Sequence, residues 1–109
     1  MHQNKTFSML GLAKRAGQAA LGATAAEAAV KSGEAKLVVI SEGASGNTSK
    51  KFKNMCAFYE VPSYVYGGKE DLGKAVGREE CSVLAILDEG FSKAVLDTQP
   101  SAGGDVKCL

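Results

Sequence analysis

Apolar residues at Met9, Leu12, Ala13 and Ala16 stand at helical spacing, i, i+3, i+4 and i+7, and predict a first helix that stops near Gly17. Lys14 and Arg15 fall in its last turn, where they complement the negative end of the helix dipole. Gln18 to Leu21 is short and apolar enough for a brief strand, closed by Gly22. Thr24, Ala25, Ala26 and Glu27 match a capping box, so a second helix is expected to start at Thr24 and run about eight residues to Ser32. Gly33 then suits the left-handed position that ends a helix. The continuously apolar, β-branched run Leu37 to Ile40 reads as a central strand covered on both faces.

The loop SEGASGNTSKK follows, with Asn47 or Thr48 expected to cap a third helix. In that helix Phe52, Met55, Cys56 and Tyr59 form the inner face, and Lys50, Lys51, Lys53 and Asn54 point outward. Val61-Pro62 ends it, because the residue before proline avoids the α region. Ser63 to Tyr66 is a further strand, broken by Gly67-Gly68. A short helix from Lys69 to Val76 packs through Leu72, Ala75 and Val76 and stops at Gly77. Ser82 to Leu87 is the second fully apolar strand, and Asp88 or Glu89 opens a last helix carrying Phe91, Val95 and Leu96. This alternation of helices and strands predicts an α/β chain folded as one three-layer α/β/α sandwich with about four strands. The domain is expected over residues 1–97, with a flexible tail at 98–109, where TQPSAGGDVK lacks apolar anchors.

Composition narrows the function classes. With 45% apolar and 23% charged residues, the chain is built to fold rather than to stay disordered. The apolar run Val83–Leu87 is far shorter than the roughly 18 residues of a membrane span, and the N-terminus has no sustained apolar segment, so a cytoplasmic location is expected. Cys56, Cys81 and Cys108 are odd in number and fit neither a disulfide framework nor a CxxC metal pair. Cys108 is next to last, and Val106 occupies the position a prenylated cysteine would need. The net charge of +1 conceals an asymmetry: residues 1–53 carry eight basic against three acidic side chains, and the remainder five against nine. That imbalance fits either a basic face for an anionic partner or an ordinary solvated surface.

Catalytic constellations are not found. The single histidine, His2, sits in a segment expected to fray, and the pairs Glu70-Asp71, Glu79-Glu80 and Asp88-Glu89 read as solvated charges or dipole partners. GLAKRAGQAALG is neither a phosphate loop nor a dinucleotide fingerprint, and no metal or cofactor site is predicted. Gly43-Ala44-Ser45-Gly46 is either a phosphate-binding approach to the third helix or a plain surface loop. What remains suits RNA. Helix N-termini offer free amides, and glycines let a nucleic-acid backbone come close, at Gly22-Ala23-Thr24 and at Gly67-Gly68-Lys69. Both are expected at one edge of the sheet, with Tyr66 offering a ring to a splayed base and Lys14, Arg15 and Lys31 contacting phosphates.

The pattern LGLAKRAG, SGEAKLVVISEGAS, VPSYVYGGKEDLGKAVG and LAILDEGF, from about Met9 to Leu96, resembles the kink-turn RNA-binding superfamily of ribosomal proteins seven-Ae and thirty-e, in its small bacterial YlxQ-like branch. The resemblance implies an α/β/α sandwich with a mixed sheet and a non-enzymatic, RNA-binding, ribosome-associated protein. It implies RNA as partner, with ribosomal proteins as further contacts; the short apolar runs lead to the expectation of no membrane partner, and a monomer is expected. The family motif G-x-N-E-x-x-K falls on Gly22, Thr24, Ala25 and Ala28, so the glycine is kept, Thr24 replaces Asn, and alanines replace Glu and Lys. The family's second contact, a loop after the third strand, corresponds to Tyr66, Gly67, Gly68 and Lys69. The expected RNA-binding set is therefore Lys14, Arg15, Gln18, Gly22, Ala23, Thr24, Ala25, Ala28, Lys31, Tyr66, Gly67, Gly68 and Lys69, with Asn47, Lys50 and Lys51 as a second basic surface. Two other readings stay open: a protein-interaction adaptor that has lost its RNA side chains, and a thiol enzyme using Cys56 or Cys81.

Overall fold

A computed structural model describes residues 5–97 of the chain; His2 and the expected tail at 98–109 lie outside the described residues. Helices and strands alternate as α1 (Lys5–Arg15), β1 (Ala19–Leu21), α2 (Ala23–Ser32), β2 (Leu37–Ile40), α3 (Gly46–Tyr59), β3 (Ser63–Val65), α4 (Lys69–Ala75), β4 (Val83–Ile86) and α5 (Glu89–Asp97). The four strands form one mixed sheet in the order β1-β4-β2-β3. β4 pairs antiparallel with both β1 and β2, and β2 pairs parallel with β3.

The two central strands, β2 and β4, are buried at every position, as their unbroken apolar runs require. Alternation along them divides the core. Leu37, Val39, Leu84 and Ile86 face one layer with Leu10 and Ala13 of α1, Leu72 of α4 and Val95 of α5. Val38, Ile40, Val83 and Ala85 face the other, with Ala26, Ala29 and Val30 of α2 and Phe52 and Cys56 of α3. The three-layer α/β/α sandwich follows from this division.

Three local expectations are corrected. α1 is present, but its buried face runs through Thr6, Leu10 and Ala13, while Leu12 is 43% exposed and Ala16 lies at the surface. Its rotation fits the approach of α4: a Cβ at Gly11 would stand 2.8 Å from the Ala75 carbonyl oxygen, so the glycine faces α4 where no side chain has room. Thr24 does not cap α2. The cap residue is Gly22, without a side-chain hydrogen bond, and its amide donates to the Val83 carbonyl at 2.9 Å. Strand pairing thus continues to the last residue before the helix, and the turn at φ 93 and ψ 163 demands glycine, which leaves Thr24 already helical. For α3 the cap is Ser45, not Asn47 or Thr48: its hydroxyl accepts from the Thr48 amide at 3.1 Å.

Candidate nucleic-acid interface

Register places the ends of β1, β2 and β3 beside the start of β4, because Leu21 opposes Leu84, Ile40 opposes Val83, and Ile40 also opposes Val65. Backbone bonds extend the pairing outward: the Ser41 amide donates to the Ser82 carbonyl at 2.7 Å, and the Tyr66 amide to Ile40 at 2.9 Å. Helices α2, α3 and α4 begin within a few residues of these strand ends, so their N-termini share one end of the sheet. Each contributes partial positive charge there.

The three ends differ in what already fills them. α4 carries Glu70 and Asp71 in its first turn, which complement its dipole, and α3 has the Ser45 hydroxyl. α2 has neither an acidic residue in its first turn nor a side-chain cap. Ala23, Thr24, Ala25 and Ala28 are exposed, and their short side chains leave the main chain within reach of a ligand. Of the three this is the least satisfied helix start, and its exposed amides suit the oxygen atoms of a phosphate or a base edge.

Gly22 and Gly67 do not share an edge of the sheet. They lie at one end of it, but on the two outer strands, with β4 and β2 between them, about 14 Å of strand spacing. The Gly67 carbonyl accepts from the Glu42 amide at 2.8 Å and the Ser41 hydroxyl at 3.2 Å, which ties the β3–α4 turn to the β2–α3 turn. Tyr66 is half-buried, stacked on Tyr64 at 5.6 Å and tilted against Phe7 at 5.4 Å. Phe7 also covers Gly67, where a Cβ would come within 3.0 Å of its ring. Gly68 is half-buried at the start of α4.

Lys69 lies in the middle of this end. Its side chain passes Gly43, and its ammonium approaches Glu80 at 3.8 Å. The Cys81 amide donates to the Lys69 carbonyl at 3.0 Å, so the α4–β4 connection folds back along α4. Gly73 permits that close packing, since a Cβ there would stand 2.7 Å from the backbone of Glu79 and Glu80. The connection from Gly77 to Ser82 thereby reaches the start of α2. The Cys81 thiol donates to the Val83 carbonyl at 3.4 Å, beside the Gly22 backbone, with Arg78 near enough to act on it electrostatically. Sequence reasoning missed this segment, because only the antiparallel β1–β4 pairing brings it to Gly22. Lys14 lies at the other end of that connection, its ammonium 3.9 Å from where a Cβ at Gly77, just past the end of α4, would be.

Other expected residues lie apart. The Gln18 carbonyl accepts from Leu87 at the opposite end of β1, and Arg15 is exposed at the end of α1. Lys31 occupies the last turn of α2 and pairs with Glu27 at 2.9 Å. Glu27 also receives Lys51 at 2.9 Å, and these two hydrogen bonds, Lys31 first, hold its carboxyl below the usual range. Glu27 therefore joins α2 to α3 instead of capping its own helix. Asn47 and Lys50 are exposed along α3, continuous with Lys51.

Cys56 and Cys81 are buried, and burial pushes both thiols up, Cys56 to about 11. They are protonated at neutral pH, the wrong state for a nucleophile. No group of metal-ligating side chains occurs among the described residues, and none of their helices is long and apolar enough to cross a membrane.

Among the described residues, five helices on a four-stranded mixed sheet, with an uncapped, small-residue helix start at the sheet end, define an α/β/α sandwich class of protein. Comparison with known proteins gives the class its family: the chain belongs to the Ribosomal protein L7Ae/L30e/S12e/Gadd45 family, whose model matches residues 4–96. It is 36% identical over 90 residues to the RNA-binding protein YlxQ of Bacillus subtilis, covering 83% of this chain and 90% of that protein. To the large ribosomal subunit protein eL30 of Aeropyrum pernix it is 37% identical over 81 residues, covering 72% and 81%. A solved structure from Bacillus halodurans, described as a protein with unknown function, superposes with a TM-score of 0.85 at 36% identity, covering 88% of this chain and 97% of that one.

Proposed function

We propose that this chain is a non-enzymatic, cytoplasmic RNA-binding protein that recognises structured RNA, kink-turn-like or ribosomal, and works as a monomer on the ribosome beside ribosomal proteins. The observation that carries the reading is the start of α2, where exposed Ala23, Thr24 and Ala25 follow Gly22 with no side-chain cap and no acidic residue in the first turn. Alanine at positions 25 and 28 offers no hydrogen bonds from its side chain, so recognition rests on first-turn amides, the Thr24 hydroxyl and the surrounding cations. Lys69 and Arg78 are the nearest candidates for phosphate contacts, with Lys14, Arg15 and Lys31 further out. Gln18, Tyr66, Gly67 and Gly68 support the frame of this surface. The names of the relatives, an RNA-binding protein and a ribosomal protein, favour RNA over other polyanions.

Filter binding of the purified protein to a kink-turn RNA and to total ribosomal RNA tests this. The logarithm of affinity is expected to fall linearly with the logarithm of salt, by about 0.7–0.9 per phosphate neutralised. No binding to either RNA at low salt overturns the reading.

A further inference from the structure

The outer surface of the α2–α3 layer carries cations that the α2 start does not use. α3 has three lysines and no carboxylate along its 14 residues. Lys51 is held by Glu27, but Lys50 and Lys53 have no ion pair among the described residues. Helical spacing sets Asn47, Lys51, Asn54 and Phe58 in one row, i, i+4, i+7 and i+11, and the Lys51–Glu27 bridge fixes that row beside α2. Phe58 at its end is 78% exposed, the most of any large apolar side chain among the described residues. Its ring stands edge-on to Tyr59 at 4.9 Å and 80°, and Tyr59 is itself 41% exposed and close enough to Lys31 for electrostatic contact.

Packing does not account for Phe58, because Phe52 and Cys56 already bury the inner face of α3. A stable protein interface is also a poor fit. Two rings offer a few hundred Å² of apolar surface at most, against about 800 Å² per partner in a standard interface. Their neighbours in the row are lysine and asparagine rather than further apolar residues. An exposed ring in line with Lys51, on the outward side of α3 that also carries Lys50, suits a polyanion with flat bases.

We propose that the outward face of α3 is a second RNA contact, in which Lys50 and Lys51 hold the phosphates of a single-stranded segment and Phe58 stacks on one of its bases. This rests on the RNA-binding reading above. The path is continuous, because α2 and α3 both start at the same sheet end, and α3 extends about 21 Å from it along the layer. Glu27 does not block it, since an exposed ion pair is weak and a phosphate displaces the carboxylate from Lys51.

The test compares a kink-turn RNA with and without a single-stranded extension, on the full chain and on the variants Lys50→Gln/Lys51→Gln and Phe58→Ser. These positions are exposed, so folding is expected to survive, as circular dichroism checks. The extension is expected to raise wild-type affinity about ten-fold, and each variant to remove most of that gain while binding the plain RNA as before. The salt slope of the lysine variant should fall by about 0.7 per lysine with the extended RNA only. No gain from the extension, or equal losses on both RNAs, overturns this proposal and leaves the α2 site standing. Failure of the wild type to bind either RNA removes both readings. Conversion of a self-associated species to monomer by Phe58→Ser in sedimentation, with the RNA gain intact, assigns the ring to a protein contact and also overturns it.

Discussion

At Gly22 the chain leaves β1 with φ 93 and ψ 163, a region essentially reserved for glycine, while its amide stays in the β4 ladder. Gly22→Ala is expected to cost about 1–3 kcal/mol in urea denaturation, although open space surrounds the position. Thr24, being helical and not the cap, behaves differently. Thr24→Val should change stability by less than the ~1 kcal/mol typical of a lost cap, yet weaken RNA binding. Equal stability losses at Thr24 and at a true cap such as Ser45 would contradict the assignment. Ala25 and Ala28 are exposed, so Ala25→Glu with Ala28→Lys meets no steric bar. The pair restores the side chains of the family pattern, and a gain of about ten-fold or more in kink-turn RNA affinity is expected from charge-assisted hydrogen bonds. An unchanged affinity in a titration of that variant would mean that the scaffold itself does not present these positions to RNA.

Among the elements, α4 and its return connection hold the least slack. A Cβ at Gly73 would stand 2.7 Å from the Glu79 and Glu80 backbone. Gly73→Ala must therefore move the 77–82 segment away from α4, and both thermal stability and RNA affinity should drop, with amide exchange increasing at Cys81. Retained exchange protection there would show that the segment is not held by this contact. α3 supplies a pH signature. Burial raises the Cys56 thiol from 9.0 to about 11, so the unfolded chain loses this proton at lower pH than the folded one. Its contribution to stability is fully present below pH 9 and declines as pH rises toward 11. Denaturation of wild type and Cys56→Ala across that window should differ in slope, the variant falling less steeply.

For the molecule as a whole, sheet order decides where charge accumulates. β4 enters between β1 and β2 and runs against both, so the end at which β1, β2 and β3 finish is also where β4 starts. Three helix starts and the α4–β4 connection converge there. The first 53 residues, with eight basic against three acidic side chains, contribute α2 and the start of α3. The carboxylates of the later half include Glu70 and Asp71, which meet the start of α4 and leave α2 open.

Most of the architecture was legible because its signals are local. Two unbroken apolar runs mark the two central strands, and glycines at positions 17, 33 and 77 with positive φ mark helix ends, as the spacing predicted. The start of α2 was legible as a location, since Gly22 and the small residues after it lie next to one another in sequence. Its chemistry was not. A capping box at Thr24 and the real cap at Gly22 differ by whether strand pairing continues one residue further, and that depends on Val83, far away in the chain. The rotation of α1 likewise fits the approach of α4 to Gly11, and the Lys31–Glu27–Lys51 bridge is set by the packing of α2 on α3. The sequence by itself determined the elements, their order and the layers, because periodicity and turn residues act over a few neighbours. Only the tertiary structure decided which loops meet Gly22, how the lysines are paired and that Phe58 stands in solvent, because these depend on contacts between residues that periodicity cannot connect.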